Sequence, residues 1–207
     1  MRAFWPRIAL GALALALMLT GCATGYDYSN YRAHFPRSIV VLPPLNETTD
    51  VNASYSYLST VTFPLAEMGY YIFPVAVVDH FFKENGMPTP GEMHQAPPKK
   101  IYEIMGADAV LYIRLKQYGS KFQLISSTTT VEAECRLVDT RTELLLWEGK
   151  LMAQEGSGGG PIGAVLGQLL NQATDHVHDV AVSANGYYMI EGRGLLYGPL
   201  SPKYQNP

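Results

Sequence analysis

Cysteine is nearly missing from this 207-residue sequence: there are two, Cys22 and Cys135, too few and too far apart for a disulfide framework or a zinc cluster. The fold must therefore stand on its hydrophobic core, and a domain of this size buries roughly 70% of its unfolded surface, which suffices without staples. Basic residues are also scarce. Fifteen Lys and Arg stand against eighteen Asp and Glu, and loss of Arg2 and Arg7 with an N-terminal leader takes the formal charge from −3 to −5. That balance excludes a mainly electrostatic grip on nucleic acid. Long apolar runs are absent too. The stretch Ile8 to Leu19 has twelve residues, whereas a spanning helix needs roughly 20, so no permanent transmembrane helix is expected. With 47% hydrophobic and 16% charged residues, the chain has the composition of a folded protein, and its length fits one domain.

What is present starts at the N-terminus. Arg2 and Arg7 form a basic n-region, Ile8 to Leu19 an apolar h-region, and residues 1–21 together read as a cleavable signal peptide. Leu19-Thr20-Gly21-Cys22 resembles the bacterial lipobox, in which the cysteine is acylated on sulfur, as with palmitate, and becomes the mature N-terminus. Cys22 is thus the expected lipidation site and membrane contact. Each buried methylene contributes roughly 0.8 kcal/mol, so the two or three chains of a bacterial lipoprotein make attachment effectively permanent. By analogy with Gram-negative sorting, Ala23 in place of Asp points to the outer membrane. Residues 22–36 read as the lipidated N-terminus and a polar tether rich in tyrosine (Tyr26, Tyr28, Tyr31), with a reach of at most about 50 Å.

Residues 37–186 carry the pattern of an α/β domain. Ile39-Val40-Val41-Leu42 is continuously apolar up to Pro43-Pro44, as expected of a strand covered on both faces. Val51, Tyr55, Leu58, Thr62 and Leu65 follow at helical spacing, with Pro64 predicting a kink or break near Phe63. Tyr70 to Phe73 reads as a second strand, Val78, Phe81 and Phe82 as one helix face, Met87 to Pro98 as a loop, and Ile101, Ile104 and Met105 as a helix closed by Gly106. Three strands follow. Ala109, Leu111, Ile113 and Leu115 share one face of the first, and Val131, Ala133, Cys135 and Leu137 one face of the second. Asp139-Thr140-Arg141-Thr142 turns the chain into the third, Leu144 to Ala153. A glycine-rich loop leads to a long amphipathic helix from Ile162 to Ala184, closed by Asn185-Gly186. Residues 187–207 form a Tyr/Gly/Pro-rich tail packed along the domain surface. The sum is a mixed β-sheet of about five strands flanked by helices.

Searching these elements for chemistry yields little. Gly158, Gly160 and Gly163 satisfy GxGxxG, but no parallel strand ending in a ribose-binding acid follows, so no cofactor is expected. No histidine pair has metal-ligand spacing, so no metal is expected. Cys135 is predicted to be buried and lacks a histidine signature. Glu132, Glu134 and Asp175 are the sole acid–base candidates, and no catalytic residue is assigned. Gly163 and Gly167 form a GxxxG pair that lets two backbones approach, making this helix the candidate homo-oligomer contact.

Val40-Val41-Leu42-Pro43-Pro44-Leu45-Asn46-Glu47-Thr48-Thr49-Asp50, Gly106-Ala107-Asp108-Ala109-Val110-Leu111-Tyr112 and Tyr197-Gly198-Pro199 resemble a Gram-negative lipoprotein family of undetermined function, of the neisserial lipoprotein antigen type. The resemblance covers essentially the whole chain. It implies a fold like the TolB N-terminal domain and the periplasmic part of the curli-secretion lipoprotein CsgG, both assembly components. The function it implies is a non-enzymatic outer-membrane lipoprotein, at the periplasmic or surface face, that joins other envelope lipoproteins or a secretion or assembly complex. The alternatives are an activator lipoprotein of a cell-wall synthase and, from a different class, a lipid-anchored envelope hydrolase.

Overall fold

The computed structural model describes residues 26–122, 126–158 and 176–205. In chain order the elements are α1 (Ser29–Ala33), β1 (Ser38–Val41), β2 (Leu45–Asn46), α2 (Ala53–Glu67), β3 (Tyr71–Ile72), α3 (Val75–Glu84), α4 (Pro90–Met93), α5 (Pro98–Met105), β4 (Ala109–Phe122), β5 (Ser126–Asp139), β6 (Leu145–Gly158) and α6 (His176–Asn185), then a 3₁₀ turn (Gly186–Met189). They make one mixed sheet in the order β3-β1-β4-β5-β6, with β2 also paired to β4. The sheet is parallel at β3-β1-β4 and antiparallel at β4-β5-β6. The expected α/β class and strand number are those observed.

The prolines explain why β1 and β2 are separate. Pro43 and Pro44 have no amide hydrogen, so the parallel ladder along β4 is interrupted after Leu42 donates to the Leu111 carbonyl at 3.2 Å. It resumes at Leu45, and Glu47 donates to the Leu115 carbonyl at 3.0 Å. Alternation of side chains along β1 then feeds two cores, as the continuous apolar run required. Ile39 and Val41 join Leu111, Ile113, Cys135 and Leu137 under α2 and α6. Val40, Leu42 and Val110 meet Val78 and Phe82 of α3, Met93 of α4 and Ile101 of α5 on the opposite face.

Several expectations are corrected. The α2 helix runs unbroken through Pro64 to Glu67. Pro64 lies in its last turn and is buried, so the helix loses one bond, to the Thr60 carbonyl, and has only three residues left to carry past the ring. The buried face of α2 is also shifted: Val51 is 85% exposed and precedes the helix, Tyr55 is 45% exposed, and Ala53, Tyr57, Leu58, Val61 and Leu65 point inward. Ile104 is 57% exposed rather than part of the α5 core face. The Met87–Pro98 loop contains α4, whose start is fixed by a reciprocal capping box: Thr89 accepts from the Glu92 amide, and the Glu92 carboxylate accepts from the Thr89 amide at 2.9 Å.

The largest difference lies in the tether. From Tyr26 onward it is part of the folded body. Tyr31 is fully buried, its hydroxyl 2.6 Å from that of Tyr70, and Tyr28 donates to the Gly194 carbonyl at 2.5 Å. The start of the tail is likewise core rather than surface, because Tyr188 is wholly buried against Trp147, with ring centroids 5.8 Å apart. Further on, the Gly198 amide donates to the Met68 carbonyl at 2.7 Å, and Leu200 to Gly69 at 3.1 Å. A side chain at Gly198 would collide with the Gly69 backbone, which gives Tyr197-Gly198-Pro199 a steric reason.

The hairpin turn reads as expected, but β6 runs on past Ala153 to Gly158, so the first glycines of the expected loop are paired with β5. Asp139 Oδ1 accepts from the Arg141 and Thr142 amides at 3.0 and 2.7 Å and closes the turn between β5 and β6. Gly106 closes α5 in the left-handed conformation at φ +70°. Among the described residues, no helix is long and apolar enough to cross a membrane.

Candidate functional site

Helices α3, α4 and α5 cover β3, β1 and the first part of β4, leaving the same face of the sheet open across β5 and β6. Period-two alternation puts Arg114 of β4, Glu134 of β5 and Lys150 of β6 in one row, and Arg136 and Glu148 in the next. Neighbouring rows are tied by charge. Lys150 Nζ lies 2.7 Å from Glu132, which also accepts from Gln117 at 3.1 Å. Lys116 Nζ lies 2.7 Å from Glu47 and 3.5 Å from Glu134, and Arg114 reaches the other Glu47 oxygen at 3.0 Å. The bonds to Glu132 and Glu47 raise the pKa values of Lys150 and Lys116 respectively, and Lys116, with Arg114, in turn lowers that of Glu47. Lysines this exposed are screened by solvent, so the pairs add little to stability. They order the face more than they stabilise the fold.

Where this face meets α4 and α5, a cleft of about 440 Å³ opens, bounded by His94, Tyr112, Arg114, Glu134, Arg136 and Glu143. His94 packs edge-on against Tyr112 with centroids 5.3 Å apart, and its Nε2 lies 2.9 Å from the Pro43 carbonyl. Burial lowers the His94 pKa, so the ring is neutral at pH 7 and Nε2 carries the hydrogen that the carbonyl accepts. Burial pushes Tyr112 up to about 12, with Glu143 adding to the shift. Both groups are therefore uncharged at neutral pH and poorly matched to proton transfer there. The Arg136 guanidinium, by contrast, makes no hydrogen bond or ion pair among the described residues. Its five N–H donors are available to an acceptor entering the cleft.

The sequence candidates are distributed as follows. Glu132 and Glu134 lie on this face, each paired with a lysine, the Glu132 side chain largely covered at 12% exposed and that of Glu134 open at 49%. Cys135 points the other way, into the core, with its sulfur 3.2 Å from the Tyr188 hydroxyl, and burial pushes its thiol up to about 12. Cys22, Gly160, Gly163, Gly167 and Asp175 lie outside the described residues, while Gly158 ends β6. Sequence reasoning missed the cleft. His94 falls within the Met87–Pro98 stretch that reads as a loop, and the signal that locates it is Thr89-Pro90-Gly91-Glu92, an S/T-x-x-E helix start.

Comparison with known proteins gives consistent matches. The family described as "Putative lipoprotein GNA1162-like" matches residues 26–200. A Neisseria meningitidis serogroup B protein named "Putative lipoprotein NMB1124/NMB1162" is 40% identical over 201 residues, spanning 90% of this chain and 93% of that protein. The crystal structure of lipoprotein GNA1162 from Neisseria meningitidis is 44% identical, with a TM-score of 0.57, and covers 70% of this chain and 99% of that one. A PelC dodecamer structure from Paraburkholderia phytofirmans is 13% identical, with a TM-score of 0.47, and covers 78% of this chain and 91% of that one.

Proposed function

This chain belongs to the GNA1162-like lipoprotein family, and from that premise we propose that it is a non-enzymatic outer-membrane lipoprotein that docks an envelope assembly or secretion component. In this reading Cys22 is acylated and holds the protein to the membrane. The folded body meets its partner through the open face of β4, β5 and β6 and the cleft beside it.

The observation that carries the docking role is the state of the carboxylates. Glu132 and Glu134, the described acids with a claim to catalysis, face Lys150 and Lys116 and build an ordered charged surface. Arg136 adds an uncommitted guanidinium at the cleft. A planar fork of donors suits a carboxylate on an acidic partner segment. The test is photo-crosslinking in cells from position 136, with the exposed Val77 of α3 as control. The expected result is a discrete adduct from position 136 alone, identified by mass spectrometry as an envelope assembly protein and lost in Arg114→Glu. Equal crosslinking from both positions refutes the docking face, and loss of a measured hydrolytic activity in Glu132→Gln refutes the non-enzymatic reading.

A further inference from the structure

The folded body begins very close to the anchor. Tyr26 is only four residues beyond Cys22, and four extended residues reach about 14 Å at most. Tyr26 is itself fastened to the domain: its amide donates to the Gly192 carbonyl at 3.4 Å, and its hydroxyl accepts from the Glu148 amide at 3.1 Å. The adjoining segment is held as firmly, by Tyr28 on Gly194 and by Trp147 Nε1, which donates to the Arg193 carbonyl at 2.8 Å. On the reading that Cys22 is acylated, the point where Tyr26 meets Gly192 is held within about 14 Å of the anchor, which brings this side of the domain near the bilayer.

That surface has the chemistry for it. Next to Gly192 is a hollow of about 550 Å³ lined by Arg32, Phe35, Met189, Leu196 and Lys203, with Glu191 at its side. Met189 and Ile190 are 39% and 45% exposed. The Arg32 guanidinium makes no ion pair or hydrogen bond among the described residues, and Lys203 Nζ lies 3.4 Å from the Tyr197 hydroxyl and 5.1 Å from the centroid of its ring. Arg193 is exposed nearby. Asp27 and Glu148 lie beside Tyr26 and Glu191 lines the hollow, so the surface carries both signs, with Arg32 and Lys203 flanking its apolar side chains. Apolar side chains flanked by long cationic ones are what an interface of headgroups and acyl chains accommodates.

We propose that this surface lies flat on the membrane, with Arg32 and Lys203 on the phosphates of anionic phospholipid headgroups and with Met189 and Ile190 in the headgroup–acyl boundary. This orients the open face of β4, β5 and β6 reproducibly relative to the bilayer. The test uses the full chain as processed by a Gram-negative host, in vesicles of phosphatidylethanolamine and phosphatidylglycerol, with a fluorophore at Ile190→Cys or Met189→Cys and a control at Tyr102→Cys on α5. Nitroxide-bearing lipid should quench the labels at 189 and 190 several-fold more than the one at 102. Arg32→Glu with Lys203→Glu should shrink that difference while the chain stays bound. Equal quenching at all three positions on vesicle-bound protein overturns the orientation alone. A chain that washes off the vesicles overturns the acylation reading, and the orientation with it.

Discussion

Replacing Asn185 with alanine removes a buried polar joint between two helices. Asn185 ends α6 and is fully buried; its Oδ1 accepts from the Tyr57 hydroxyl of α2 at 2.6 Å, and its Nδ2 donates to Thr60 Oγ1 at 2.7 Å. Thr60 Oγ1 in turn donates to the Tyr57 carbonyl at 2.7 Å. Alanine breaks the first two bonds in a place water does not reach. A buried polar group left without its partner costs about 1–3 kcal/mol. Thr60 keeps its own bond and belongs at the low end of that range, whereas Tyr57 loses the acceptor it donates to and belongs higher, so the total is about 3 kcal/mol. With a urea m-value of about 2 kcal/mol/M, the unfolding midpoint should fall by about 1.5 M. Trp147, buried against Tyr188, supplies the fluorescence signal. The control is Val182→Ala, 49% exposed on the same helix, which should stay within about 0.5 kcal/mol of the parent. A midpoint shift for Asn185→Ala no larger than that of the control would refute the polar joint as a support of the α2–α6 packing.

Three further outcomes follow from the geometry. Gly198→Ala should cost about 1–3 kcal/mol by overpacking against Gly69 and should speed hydrogen exchange at the Leu200 amide; unchanged exchange would contradict the tail contact. Cys135, its thiol pushed up to about 12 by burial, should not react with a thiol reagent at mildly alkaline pH until guanidinium unfolds the chain; reaction in the native state would show that the site is open. His94 has a pKa depressed by burial, so below its ordinary value near 6.5 the unfolded chain binds more protons than the folded one. Its contribution is whole above that value and is lost as the pH falls below it. His94→Gln should therefore flatten stability over the mildly acidic range, and an unchanged slope would contradict the assignment.

Much of the architecture could be read from the chain because two-sided and one-sided burial leave different marks. The unbroken Ile39-Val40-Val41-Leu42 run marks a strand between two helical layers, and the alternation from Val131 to Leu137 marks one with a single inner face. The failures share a cause. Tyr26, Tyr28 and Tyr31 show no period, because the hydroxyl of each is fixed by a single hydrogen bond to a residue distant in sequence, Glu148, Gly194 and Tyr70 respectively, which local pattern does not encode. The α2 face was misread because Tyr57 finds Asn185, a partner supplied by the far end of the sequence. The cleft was out of sight for the same reason: His94, Tyr112 and Arg136 come from three elements, and the register that joins β4 to β5 brings two of them side by side.

The account rests on Cys22 as the lipid-bearing first residue of the mature protein, and intact-mass analysis of the N-terminal peptide from protein made in a Gram-negative host tests it most directly. The predicted result is a peptide beginning at Cys22 and carrying a thioether-linked diacylglyceryl group, with acylation of the amine. A peptide that begins elsewhere, or an unmodified Cys22, would contradict it.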